Sequence, residues 1–171
     1  MAVVPVPHTW TPGDDATAAS LQSLTASISW LLTPPRARLR NGAQQSIPTG
    51  AQTNVTFDTI DALSDLTLAS SVLTVQTPGV YLIAGYFGFS GTSGGSGRNL
   101  DLMINGARTA TQSIPTNPSY DPADLSITAE IALVVGQTIG LAVLQDSGGS
   151  ISADSSSWRQ SRLTARWVGN P

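Results

Sequence analysis

Apolar and polar positions alternate with two different periods along this chain, and the change comes near residues 35 and 36. In the first part, Leu21, Leu24, Ile28 and Leu31 recur at spacings of three, four and three, which places them on one stripe of a helix. Asp14 or Asp15 is placed to cap its start, and Pro34 and Pro35 to stop it. Ahead of the helix, VVPVPHTWTPGDD reads as a Pro-rich extended arm in which Trp10 is the only large side chain. A helix of about two heptads is too short to form an independent coiled coil. Its stripe is therefore expected to dock on the rest of its own chain, on sister chains or on a larger body, with Trp10, Leu21, Leu24, Ile28 and Leu31 as anchors.

From Arg36 onward the period is two. Leu100, Leu102 and Ile104 alternate with Asp101, Met103 and Asn105, and Leu125, Ile127, Ala129, Ile131 and Leu133 alternate with Ser126, Thr128 and Glu130. Strands are predicted near residues 37–40, 52–57, 66–68, 73–75, 80–89, 99–104, 109–114, 125–134, 138–144 and 161–168, with turn chemistry at Pro78-Gly79, Asn105-Gly106 and Val135-Gly136-Gln137. That length and spacing predict an all-β antiparallel sandwich or jelly roll, preceded by the arm and one short α-helix. Gly91–Gly97 and Thr116–Asp124 are read as outer loops, the former a flexible tip.

One strand breaks the in-out alternation. In Pro78–Phe89, PGVYLIAGYFGF, the set Tyr81, Ile83, Phe87 and Phe89 faces one way and Val80, Leu82, Ala84 and Tyr86 the other, and neither suits water. A strand apolar on both faces needs two partners. The second partner is expected to be another copy of the chain, with Tyr81, Ile83, Phe87 and Phe89 at the interface, so that Phe87→Asp would prevent association.

Composition then removes whole classes of function. The chain has 171 residues, enough for one substantial core, and only 11% of them are charged. Its net charge of −3 argues against nucleic-acid binding, which needs a broad basic face. With no cysteine there is neither a disulfide framework nor a thiolate metal site. No continuous apolar run reaches the roughly 18 residues of a membrane-spanning helix. MAVVPVPHTW lacks the basic start and apolar run of a secretory signal, so retention in the producing cell or release by lysis is expected. All eight basic residues are arginine.

Catalytic equipment is thin. The single histidine, His8, has no partner residue near it in sequence, and no serine sits in a G-x-S-x-G elbow, so no enzymatic role and no cofactor are expected. Asp58, Asp61 and Asp65, and Asp121 with Asp124, lie close enough in sequence to offer oxygens to a cation, but neither group has the spacing of a calcium loop; aspartates in turns explain them more simply. The glycine run from Gly91 lacks the lysine and helix of a phosphate loop. Arg36, Arg38 and Arg40 share one side of the first strand and Arg162 and Arg166 one side of the last. If those strands are neighbours they make a positive band, suited to carboxylates of a sister subunit or of a partner particle; if not, they are solvated edge charges.

Several of these segments together carry a resemblance. Phe57-Asp58, then Leu73 through Pro78-Gly79-Val80-Tyr81, Leu100 through Asn105-Gly106, Leu133-Val-Val-Gly136-Gln-Thr-Ile139 and a last strand ending at Trp167 resemble the jelly-roll head of complement-type and tumour-necrosis-factor-type trimers, over about four fifths of the chain from Arg36 to Gly169. Gln137 stands where that pattern carries an acidic residue, and Ala-Arg-Trp-Val-Gly replaces its closing Phe-Ser-Gly. The front, with Trp10-Thr-Pro-Gly13, Thr17-Ala-Ala19, Leu21 and Trp30-Leu-Leu-Thr-Pro-Pro35, resembles the opening of structural proteins of tailed phages that infect actinobacteria. The two resemblances imply a homotrimeric virion protein. Residues 1–35 would be its anchoring arm and helix, and residues 36–171 a jelly-roll domain for trimerisation and display. It would be a minor tail or fibre-type protein that docks on other virion proteins and touches a host surface glycan or protein. The same head would also serve a capsid decoration protein at threefold positions, or a cell-encoded carbohydrate- or protein-binding module.

Overall fold

The computed structural model describes residues 5–6, 8–90, 94–95, 97–115 and 123–170. One helix, α1 (Ala18–Leu32), precedes thirteen strands: β1 (Arg36–Arg40), β2 (Ser46–Ile47), β3 (Thr53–Asn54), β4 (Thr59–Ser64), β5 (Leu66–Ala69), β6 (Val72–Val75), β7 (Gly79–Ser90), β8 (Gly97–Ile104), β9 (Ala107–Pro115), β10 (Asp124–Leu133), β11 (Thr138–Gln145), β12 (Ile151–Ala153) and β13 (Arg162–Gly169).

The strands form two antiparallel sheets. The larger has seven strands in the order β2-β12-β7-β13-β1-β4, with β10 also paired to β7; the smaller has six in the order β5-β6-β11-β8-β9, with β3 also paired to β11. The sheets face each other across one apolar core. Leu39, Tyr81, Ile83, Phe87, Phe89, Leu125 and Leu163 enter it from the larger sheet, and Leu73, Leu100, Leu102, Ile139, Leu141 and Val143 from the smaller. This is the jelly-roll sandwich expected from the period-two patterning.

Gly85 marks which face of β7 turns inward. A Cβ there would lie 2.7 Å from a methyl of Leu141, so the missing side chain lets the second sheet approach β7 on its odd-numbered side. Tyr81, Ile83, Phe87 and Phe89 share that side and are fully buried within a single copy. They are core residues, not the interface expected of them. With both faces of β7 apolar, alternation says that two partners exist but not which face each covers.

Three short or edge strands escape the sequence pattern. β2 and β12 are only two and three residues long. β4 carries Asp61 and leaves Ile60 and Leu63 exposed, so it reads as a carboxylate-bearing loop although it pairs with β1 through a bulge at Arg38/Leu39. The helix start also differs from expectation. Thr17, not Asp14 or Asp15, is the N-cap, its Oγ1 accepting from Ser20 N at 3.2 Å. Asp14 instead closes the preceding turn, its carboxylate accepting from Thr11 N at 2.8 Å. At the other end α1 stops at Thr33, and the buried Pro34 and Pro35 lead into β1.

A candidate interface on the larger sheet and the leading helix

The outward face of the larger sheet is built from strands read in register. β13 lies between β7 and β1, and β10 covers the other edge of β7. Outward-pointing side chains therefore line up in levels running across four strands. One level holds Arg36, Arg166, Leu82 and Glu130; the next Arg38, Thr164, Ala84 and Thr128; the next Arg40, Arg162, Tyr86 and Ser126. First and last strands are thus neighbours, and the five arginines form the positive band their positions foreshadowed. The middle of the face is apolar, with Leu82 38% exposed between half-buried Val80, Ala84 and Tyr86. The β10 flank carries hydroxyls and two carboxylates, Asp124 and Glu130.

Neighbouring groups already neutralise part of this charge. Asp61 sits 3.7 Å from Arg38 and 3.0 Å from Arg40, and Arg162 Nη2 donates to Ser157 O at 3.1 Å. At the far end, buried Arg159 donates twice to Asp124 Oδ1, at 2.7 and 2.9 Å, once to Asp154 Oδ2 at 2.6 Å and once to Phe89 O at 3.1 Å. Burial opposes the charge of Arg159, but its carboxylate partners outweigh it and its affinity for the proton is raised. Tyr86 donates to Asp124 at 2.8 Å; burial, reinforced by that carboxylate, raises its hydroxyl's pKa. The cluster pins the segment after β12 against the β7–β10 edge and fixes Tyr86 on the face.

A second buried charge, absent from the sequence reading, stiffens the smaller sheet. Asp101 is fully buried; it accepts from Thr111 Oγ1 at 2.7 Å and Gln52 Nε2 at 2.8 Å and pairs with Arg108 at 3.0 Å. Its signal in the sequence was a lone carboxylate between Leu100 and Leu102. Arg159 offered none, because its partners come from distant strands.

Of the aspartates weighed as cation ligands, Asp58, Asp61 and Asp124 engage other groups of the chain. Asp58 accepts from Gly42 N at 2.9 Å, Ala43 N at 3.0 Å and Thr59 Oγ1 at 2.9 Å, and the Gly42 amide above all holds its pKa below the usual carboxylate range. Asp61 serves the arginines, and Asp65 occupies a turn at φ 51°. Asp121 and most of the two outer loops, Gly91–Gly97 and Thr116–Asp124, lie outside the described residues. His8 is less isolated than its sequence context suggested, with Asp14 at 4.0 Å and the Trp10 ring edge-on at 4.7 Å.

The helix leaves its stripe uncovered. Leu21, Leu24, Ile28 and Leu31 are exposed, Leu31 at 73%, and so is Trp10. No residue of α1 is charged. The arm folds back on it, Val6 O accepting from Ser23 Oγ at 3.0 Å. Its last turn meets the head through Trp30, whose ring stands edge-on to Trp167 at 5.6 Å. Trp30, Leu31, Pro34, Arg166, Trp167 and Val168 line a hollow of about 210 Å³ at this junction. Of the three docking alternatives, the chain's own head therefore takes Trp30 but not the stripe. Among the described residues no helix is long and apolar enough to cross a membrane.

No protein-family model and no curated protein sequence matches the chain. Solved structures match its shape. The tumour-necrosis-factor protein Eiger from S. frugiperda aligns with a TM-score of 0.61 at 13% identity, covering 80% of this chain and 95% of that one. The globular domain of zebrafish complement 1qA aligns with a TM-score of 0.59 at 14% identity, covering 80% and 99%. At such identities the likeness establishes the fold: a jelly roll of the tumour-necrosis-factor and complement type.

Proposed function

We propose that three copies of this chain associate through the outward face of the larger sheet into a non-enzymatic head, which its arm and helix dock onto a tailed-phage particle. The observation that carries the trimer is the exposed apolar centre at Leu82, flanked by an arginine band on one side and the Glu130 carboxylate on the other. A surface that is basic at one edge and acidic at the other complements itself head to tail, and head-to-tail contacts close into a ring when the rotation per copy is a whole fraction of a turn. The virion role is supported by the short front motif and by an uncharged, exposed helix stripe. In this reading Trp10 and the stripe from Leu21 to Leu31 anchor the chain to other virion proteins, and the outer loops face a host surface as a minor tail or fibre-type protein would. Antibody labelling of intact particles tests it. Signal on tails supports the reading, signal on heads replaces it with capsid decoration, and particles without signal from a lysate that contains the protein overturn it.

A further inference from the structure

One level of the outward face carries charges that do not close within a single copy. Arg36 on β1 lies directly opposite Arg166 on β13, so two guanidinium groups are set side by side on neighbouring antiparallel strands, an arrangement that costs free energy unless an anion joins them. Elsewhere in the band that cost is met by Asp61 and by Ser157 O. Arg36 and Arg166 have no such partner among the described residues, and both are exposed.

On the same level, across Leu82, stands Glu130, the only glutamate of the chain. It too is exposed and has no ion pair or side-chain hydrogen bond among the described residues. Two strand spacings, about 10 Å, and the Leu82 side chain separate it from Arg166, so the three charges face outward without meeting.

We infer that Glu130 of one copy binds between Arg36 and Arg166 of the next around the threefold axis; this rests on the trimer reading. A rotation about an axis running along the strands keeps each residue at its own height, so a level of one copy meets the same level of its neighbour. A head-to-tail contact then brings the β10 flank of one copy to the β1–β13 flank of the next. Two guanidinium forks converging on one carboxylate satisfy both cations, and Leu82 of each copy covers the pair from water. The pairing fixes register and direction around the ring, since a copy packed back to back would set arginine against arginine.

Charge reversal tests it by sedimentation velocity over a concentration series, with circular dichroism as the check of folding. Glu130→Arg is expected to raise the trimer dissociation constant about tenfold or more, and the combined variant E130R/R36E/R166E to return it to within about threefold of the original. Glu130→Gln, which adds no bulk to an exposed strand position, should weaken the trimer at low salt and lessen the further weakening that added salt brings. The pairing is overturned if the unaltered protein is a trimer that E130R leaves untouched, or if the combined variant is as weak as E130R alone. An unaltered protein that stays monomeric at every concentration removes the trimer itself, a different and distinguishable failure.

Discussion

The Trp30 ring meets the Trp167 ring edge-on, 84° between their planes, and this contact joins the helix to the last strand. Trp167 is in turn held by the head: its Nε1 donates to Pro78 O at 3.1 Å and its backbone N–H to Pro35 O at 2.9 Å. Its indole fills the space where a side chain on Gly79 would begin, and Gly79 has a φ of +153°, so glycine is required there on two counts. The Pro-Gly-Val-Tyr turn, the closing strand and the helix end are thus one packing unit. Trp30 Nε1 is buried without an acceptor among the described residues, so packing rather than a hydrogen bond holds the ring.

Trp30→Ala should therefore release the helix and spare the head. An edge-on aromatic pair contributes about 1 kcal/mol beyond its buried area, a loss confined to the helix that should leave the Tm of the head within about 2 °C of its original value. Hydrogen exchange should quicken across α1 while β7 and β13 keep their protection. Equal loss of protection in the strands would contradict the tether.

Leu82→Asp and Phe87→Asp separate the two faces of β7. Leu82 is on the outward face, so its aspartate should leave a folded chain that no longer associates. Phe87 is fully buried, and an unpaired charge there costs several kcal/mol, a large part of the stability of an ordinary domain. Phe87→Asp should unfold the chain rather than merely separate copies. Circular dichroism read beside sedimentation distinguishes the outcomes.

These two residues also show what the sequence makes legible. Alternation revealed the long strands and the sandwich, because a strand covered on one side leaves a period of two. It could not say which apolar face of β7 was covered, since that depends on Gly85 and Leu141 meeting across the core. β4 was hidden because an edge strand buries little. Thr17 does not stand out as helix cap in the sequence because Asp14 and Asp15 compete for that role, and Asp14 is used one turn earlier. The arginine band was legible in sequence as two alternating sets, but its significance required β1 and β13 to be neighbours and Glu130 to share their level.

Asp101→Ala should cost about 2–3 kcal/mol, because it removes the hydrogen bonds that the buried carboxylate accepts from Thr111 and Gln52 and its ion pair with Arg108, whose exposed donors return to water. The matching fall in Tm is roughly 4–12 °C by calorimetry. A change below about 1 °C would show that the buried carboxylate does not hold the smaller sheet.

Stability should fall at both ends of the pH scale, for opposite reasons. Amide and hydroxyl donors hold Asp58 and Asp154 below their ordinary pKa, chiefly Gly42 N–H for the first and the Ser156 hydroxyl for the second. Their contribution is complete above the unfolded value of about 4 and is lost as pH drops through the lowered folded values. Burial, with the Asp65 charge adding to it, pushes the Tyr81 hydroxyl up to about 12. Its contribution is complete below the unfolded value of about 10 and disappears as pH climbs from there through the folded value. Tyr81→Phe gives up the 2.7 Å hydrogen bond to Thr77 O, costing about 1 kcal/mol at neutral pH, yet should flatten the alkaline limb. An alkaline limb unchanged by Tyr81→Phe would assign that loss to another group.

The most direct test is the mass of the purified native protein, measured by native mass spectrometry together with hydrogen exchange across β7 and β10. A species of three chains, in which the amides around Leu82 and Glu130 become protected only at concentrations where the trimer forms, is the predicted result. A stable, well-folded single chain at every concentration, with Leu82 open to water, would contradict it.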